Sequence, residues 1–279
     1  MNAIPTPAST VLVTAATGTV GRHLVPLLEQ RGATVRAFDR TADPEPQLAG
    51  VDAVFLACPN VEAQVAYEVA VIDAAARAGV ARLVKLSARG AALDSPVAFW
   101  DWHARIEQHL ASSGLPAVVL RPGFSMANLL AQVDPVRTAG VLPVPAADAR
   151  VAMIDPADVA VVASVALTDP ELPTGAYELT GPAAIDFAEV ARSWAAAAGR
   201  PVTYVDVPPD RAVPAMVAAG LPAFVADQIA TVFAALRSGA QAEVSDDVRR
   251  LTGRSPRSIV DFLADALAGR DVMAGAGRD

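Results

Sequence analysis

The chain has 279 residues, 53% hydrophobic and only 5% aromatic, with a formal net charge of −8. That is enough apolar material for one large α/β domain or one and a half, and the negative balance argues against nucleic acid or an anionic membrane as the main partner. The single cysteine, Cys58, excludes an internal disulfide and a cysteine metal cluster. No apolar run approaches the roughly 18 residues of a membrane span, and Met1-Asn-Ala-Ile-Pro-Thr-Pro7 lacks the basic flank and apolar core of a signal peptide. A cytoplasmic protein acting on a small molecule is the expectation.

Residues 1–9 read as a frayed lead-in. Val11, Leu12 and Val13 then read as a buried parallel strand, which needs no polar alternation. The turn after it carries Ala15, Gly18 and Gly21 at a spacing of three, and from Thr19 the apolar positions Val20, Leu24, Leu27 and Leu28 are helical. A strand, a glycine turn and a helix start form an anion site, because the first helical N–H groups lack partners and the helix dipole is positive there. Gly18 would let backbone approach a pyrophosphate, and Gly21 would let helix and strand pack closely. The alternative from these residues alone is a tight βα turn with no ligand. Gly32 stops the helix, and a second strand from Thr34 ends at Asp39, where an acidic group can take a ribose 2′-OH.

The stretch 40–50, with Pro44 and Pro46, is too short and broken for both a helix and a strand. The next strand is Val51 to Ala57. The third strand of the usual dinucleotide fold is therefore expected to be missing, which is tolerable because that strand lies at the sheet edge in the order 3-2-1-4-5-6. Helix 61–78, strand 82–86, loop 90–96, helix 99–113, strand 117–120 and a helical 125–133 follow. Prolines 135, 143 and 145 mark a loop-rich segment. Strands at 150–154 and 176–180 flank a helix at 156–167, then a helix at 186–198 and a strand at 202–207. Helices at 209–219, 222–238, 245–252 and 256–268 complete the chain. The expected fold is α/β: a doubly wound, Rossmann-like parallel sheet with its third strand deleted, and a smaller C-terminal α/β substrate part. Residues 1–134 would form the dinucleotide domain, 135–268 the interleaved, mostly helical substrate part, and 269–279 a disordered tail.

Val13-Thr-Ala-Ala-Thr-Gly-Thr-Val-Gly21 resembles the Thr-Gly-Ala-Thr-Gly-x-x-Gly opening of the NmrA-like family, atypical short-chain dehydrogenase/reductase proteins that include quinone-reductase-like and isoflavone-reductase-like branches. The resemblance continues through Val51–Ala57, Leu83–Ser87, Ser113–Phe124, Met153–Val159 and Tyr177–Pro182. It implies a dinucleotide held by Ala15, Thr17, Gly18, Thr19, Val20 and Gly21, by Asp39 and Arg40, and by Ala57, Cys58 and Pro59. Asp39 favours NAD, because it repels a 2′-phosphate; Arg40 stands where relatives often bind NADP, which the family favours slightly. Ala15 departs from the family glycine. Its methyl needs φ < 0, or it intrudes toward the phosphates. The missing strand also implies an altered adenine site.

The Tyr-x-x-x-Lys mechanism is excluded by inventory: Lys85 is the only lysine, and none of Tyr67, Tyr177 and Tyr204 has a lysine four residues on. His103 is the candidate proton donor, since imidazole titrates near neutral pH. It precedes Pro116 at the spacing where the isoflavone-reductase branch has a catalytic lysine and the quinone-reductase-like branch often has histidine. A loop hydrogen bond is its alternative role. Glu107 could orient that ring or pair with Arg105 or Arg22, whereas His23 and His109 read as solvated. Ser87 ends a strand on the ligand side of the sheet, as polar anchor or as a capping residue. Cys58 reads as a small buried hydrophobe. Trp100, Trp102, Phe124, Met126 and Asn128 are expected to wall a pocket for flat ligands, with plain core packing as the alternative for each, and no metal is expected. The expected function is NAD(P)H-dependent reduction of a small carbonyl, quinone or enone. Alternatives are a non-catalytic NAD(P)-sensing regulator and a cofactor-independent cyclase or isomerase.

Overall fold

The computed structural model describes residues 9–269. The expected tail, apart from Gly269, and the expected lead-in, apart from Ser9, lie outside the described residues. In chain order the first part runs β1 (Thr10–Val13), α1 (Gly21–Gln30), β2 (Thr34–Ala37), a single helical turn α2 (Pro44–Gln47), β3 (Ala53–Leu56), α3 (Gln64–Ala78), β4 (Arg82–Leu86), α4 (Ala98–Ser112) and β5 (Ala117–Pro122). A 3-10 segment (Met126–Gln132) leads to α5 (Val133–Ala139), β6 (Val141–Val144), α6 (Pro156–Thr168), β7 (Gly175–Leu179), α7 (Phe187–Ala198) and β8 (Thr203–Asp206). The chain continues through α8 (Pro209–Ala218), α9 (Ala223–Arg237), α10 (Asp247–Thr252) and α11 (Ile259–Leu267).

Among the described residues the main sheet has six parallel strands in the order β2-β1-β3-β4-β5-β7, with β2 at the edge where a further strand would pair. The expected loss of the outer strand is met: the chain passes from β2 through α2 straight to β3. The buried residues of β1 and β3 are apolar on both faces because helices cover both, and those of β4 are apolar except for Lys85. One face packs Val11, Val13, Phe55 and Val84 against α1 and α6; the other packs Leu12, Val54, Leu56 and Leu83 against α3 and α4. Each of these side chains is at most 1% exposed, and such burial is worth about 1.5–3 kcal/mol per side chain.

A second core, around Phe187, Trp194 and Leu236, belongs to the later part of the chain. It contains a two-stranded parallel pair, β6 with β8. No strand is expected at β6 from the sequence, because Pro143 and Pro145 point to a loop. In a two-stranded pair both strands are edges, where proline is tolerated. The expected strand at 150–154 is not one: Val151 and Ile154 form only isolated bridges, with Ile185 and Ser125. That run is buried like a strand, yet its backbone bonds go to Ile185, Gln241 and Phe124, three separate segments. Among the described residues no helix is long and apolar enough to cross a membrane.

Candidate active site

The turn from β1 to α1 is built by close backbone approach. A Cβ on Gly21 would lie 2.2 Å from the Ala15 carbonyl oxygen and 2.8 Å from that of Ala16, and one on Gly18 would lie 3.0 Å from the Ala15 oxygen. Helix α1 starts at Val20 with no side-chain cap and no acidic residue in its first turn, whereas α6, α7 and α11 are capped by Asp155, Asp186 and Ser258. The amides of Thr19, Val20 and Gly21 donate to no group among the described residues. An uncapped helix start above a glycine cradle fits a diphosphate. Ala15 does not have the negative φ that its methyl calls for: φ is +48°, a left-handed backbone. Buried Thr14 staples the turn to the end of β3, its Oγ1 donating to the Ala57 carbonyl at 2.8 Å and accepting from the Ala57 amide at 2.7 Å.

At the end of β2, the Asp39 carboxylate accepts from the Thr41 amide (2.8 Å) and hydroxyl (2.6 Å). These bonds hold its pKa below the usual carboxylate value. Gln47 clamps the Asp39 backbone amide and carbonyl. Arg40 is exposed, and its charge is felt at Cys58 and Tyr67, across the crevice. Burial first, then Glu68, pushes the half-buried Cys58 thiol up to about 11, which makes it a poor nucleophile.

His103, on α4, is 7% exposed and lines the cleft. Its Nδ1 lies 3.2 Å from Lys85 Nζ and 3.5 Å from Gln64 Nε2. Lys85, on β4, is fully buried, 2.7 Å from the equally buried Glu68 carboxylate of α3, and also donates to the Leu86 carbonyl. Burial, reinforced by the Lys85 charge, depresses the His103 pKa well below 6.5. Burial pushes the Glu68 carboxyl up, with Lys85 opposing. Reading the sequence missed Glu68, Gln64 and the place of Lys85. The signal was there: a lone lysine inside an apolar strand must find a partner, and Glu68 is on the helix just before it.

Ser87, 4% exposed at the end of β4, donates to Glu107 Oε1 at 2.5 Å. Glu107 also accepts from Arg121 Nε (3.1 Å) and Nη2 (2.5 Å), so it neither orients His103 nor meets Arg105, which pairs with Asp101. His109 is 2.7 Å from Asp73 rather than simply solvated, and Arg22 Nε donates to His23 Nε2. With its proton committed to Glu107, Ser87 can accept from a ligand but not donate to one.

The cleft encloses about 1010 Å³ and runs from Thr19 and Val20 past Cys58, Pro59 and Ser87 to Trp100, Phe124 and Asn128. Trp100 lies against Gly90, where a Cβ would sit 2.8 Å from the indole. Met126 is not on this wall; it is 1% exposed in the second core. Trp102 turns away to stack on Phe224, centroids 6.0 Å apart. Gln241, 4% exposed and likewise missed, stitches the rim by accepting from the Phe124 amide (2.6 Å) and donating to the Arg89 carbonyl (3.0 Å). Its loop carries no periodic signal to mark it.

In an open parallel sheet the ligand crevice lies where the strand order reverses. Here that place is between β1 and β3, below the glycine turn, as in the dinucleotide-binding class of doubly wound folds. The sequence profile of the NmrA-like family matches residues 39–252, and the chain belongs to that family. It is 36% identical over 274 residues to the NAD(P)H azoreductase of Xenophilus azovorans, covering 90% of this chain and 96% of that one. It is also 36% identical over 279 residues to the (4-alkanoyl-5-oxo-2,5-dihydrofuran-3-yl)methyl phosphate reductase of Streptomyces griseus, covering 91% and 97%. Among solved structures, the NADPH-dependent quinone oxidoreductase of Escherichia coli complexed with NADPH superposes with a TM-score of 0.82 at 25% identity, over 92% of this chain and 99% of that one.

Proposed function

We propose that this chain is an NAD(P)H-dependent reductase of flat, largely apolar acceptors such as quinones, enones and azo compounds. The observation that carries this is the continuity of the cleft: one space of about 1010 Å³ joins the phosphate turn to His103. Pockets for a single ligand hold roughly 300–1,000 Å³, so this one has room for a nicotinamide and an acceptor together. The turn 15–21 would hold the diphosphate, Asp39 and Arg40 the adenosine end, and Ala57, Cys58 and Pro59 the floor of the trough. Ser87 is suited to accept from a carboxamide N–H. Bound coenzyme supplies the hydride. The chain's own residues orient the acceptor against Trp100 and Phe124, with Asn128 at the mouth, and His103 supplies the proton. Residues 135–268 act as the substrate part, since β6, α8 and α9 contribute the far wall. The reductase names of the relatives support the same reading. We place the protein in the cytoplasm, consistent with one free thiol and no disulfide.

Titrating NADH and NADPH against tryptophan fluorescence tests it, because Trp100 lies in the cleft. Saturable quenching is expected, followed by loss of 340 nm absorbance on adding a quinone or azo dye. No binding of either coenzyme would leave a cofactor-independent enzyme, and binding without turnover across the acceptor panel would favour a sensor. Arg40→Ala should weaken NADPH about tenfold, the loss of one charged hydrogen bond, and leave NADH unchanged. Equal effects on both would remove Arg40 from the 2′-phosphate site.

A further inference from the structure

We propose that Lys85 is the proton source of the reaction and His103 its conduit: the ammonium fixes the imidazole as its Nε2–H tautomer, then protonates Nδ1 as Nε2 gives its proton to the reduced acceptor. This rests on the reductase reading above. An ammonium has only donors, and so does the amide nitrogen of Gln64, so Nδ1, 3.2 Å from one and 3.5 Å from the other, must accept. The one ring proton of neutral His103 is then on Nε2, which has no partner among the described residues, on a ring that lines the cleft.

A histidinium donor is not on hand at neutral pH, because burial and the Lys85 charge both oppose it. A neutral ring that gave up its Nε2 proton alone would become an imidazolate. Transfer from Lys85 avoids that. Two electrons and a hydrogen nucleus reach the acceptor as hydride from NAD(P)H, which becomes NAD(P)+. The Nε2–H bond breaks as a bond to the acceptor's oxygen or nitrogen forms. The Nζ–H bond breaks as Nδ1–H forms, leaving a neutral ring and a lysine amine. After product leaves, a solvent proton enters at Nε2 and the Nδ1 proton returns to Nζ. Glu68, 2.7 Å from Nζ, stabilises the ammonium at rest and is a positioning residue. The other charged groups near the ring are engaged elsewhere, Asp101 with Arg105 and Glu107 with Arg121, and Cys58 is a neutral thiol. Fold stability gives no reason for the pair, since well-packed apolar residues in place of a buried ion pair are often neutral or stabilising.

The test has two arms. In the unliganded, 15N-histidine-labelled protein, His103 should show a single neutral Nε2–H tautomer at pH 7, and Lys85→Met, which leaves only the more distant Gln64 amide on Nδ1, should weaken that bias. An Nδ1–H tautomer or an imidazolium at pH 7 overturns the proposal whatever the protein reduces. The second arm compares acceptors by the basicity of their hydride adducts. An azo dye gives a strongly basic nitrogen anion, whereas a quinone gives an anion that is stable near neutral pH. Lys85→Met and His103→Ala should each lower kcat on the azo dye at least about 100-fold, the usual span of general acid catalysis, and on the quinone far less, with KM for NADPH unchanged. Lys85→Arg separates the two roles and covers a misfolded Lys85→Met. Guanidinium donates but does not give up its proton, so this variant should keep the tautomer and still lose the azo rate. Undiminished azo turnover in Lys85→Arg and Lys85→Met overturns the relay. A wild-type chain that reduces neither acceptor sinks the reductase reading and the relay with it, while the spectrum still decides whether Lys85 sets the tautomer.

Discussion

At the scale of single residues the turn between β1 and α1 carries a strain that the sequence marks. Ala15 has φ +48°, a conformation that costs an L-residue roughly 1–2 kcal/mol. Its carbonyl oxygen is also the atom that a side chain on Gly21 would strike at 2.2 Å. Ala15→Gly should therefore relieve the backbone. Part of the gain is lost to the greater freedom of glycine in the unfolded chain, about 0.4–1 kcal/mol, so the net stabilisation should be at most about 1.6 kcal/mol, seen as a small rise in Tm without coenzyme. The same variant should tighten NADPH binding by removing a methyl from the turn. A lower Tm would mean that the local backbone is not strained. Gly21→Ala should do the reverse: the turn must open, and coenzyme quenching of tryptophan fluorescence should disappear.

At the scale of elements, legibility followed how local the signal was. The β1–turn–α1 unit, the capped helices α6 and α7 and the glycine stop of α3 are written in adjacent residues. Strand β6 and the non-strand at 150–154 are decided by partners far along the chain, at β8 and at Gln241, so neither pattern could be read locally. One such long-range junction has a pH signature. Asp158, in the first turn of α6, accepts from the Arg257 amide at 2.7 Å, where the segment leading into α11 docks. Burial, partly offset by that hydrogen bond, raises its pKa to about 6 from 3.8. The folded pKa exceeds the unfolded one, so the native state holds the extra proton between about pH 4 and 6 and its stability falls as pH rises through that window. Above pH 6 the full penalty applies, roughly 2–3 kcal/mol at 1.36 kcal/mol per unit. Asp158→Asn keeps an acceptor for the amide and removes the charge. Its Tm should exceed wild type at pH 8, with the difference closing as pH falls to 4. A constant difference across that range would place the raised pKa elsewhere.

At the scale of the whole molecule, the site is assembled from both parts of the chain, which is why composition and spacing found its ends but not its middle. Thr19, in the turn that opens α1, and Ser87, just past the end of β4, sit where any doubly wound fold places its crevice. Glu68, Lys85 and His103 meet only because α3 and α4 cover the same face of β4. The far wall is less firmly held. Helix α9 is tied to the sheet part by Gln228, which accepts from the Ala98 amide at 2.6 Å, and by Phe224 stacked on Trp102. Helix α8 makes its substantial contacts with α9, is mostly exposed, and contains Pro214, which deprives the helix of a backbone bond. Yet Ala212, Ala215 and Met216 of α8 face the cleft. Segments with few buried contacts open at low free energy, so α8 should exchange its amide hydrogens faster than α9 in the unliganded protein. Coenzyme at about 100 Kd adds about 2.7 kcal/mol to the stability of the whole molecule, a rise in Tm of about 5–10 °C for a chain of this size. Coenzyme and acceptor together should slow exchange in α8 more than in α9, because the acceptor supplies the apolar surface that α8 lacks. Equal protection of the two helices before ligand is added would show instead that α8 is a fixed wall, and that acceptors enter by another route.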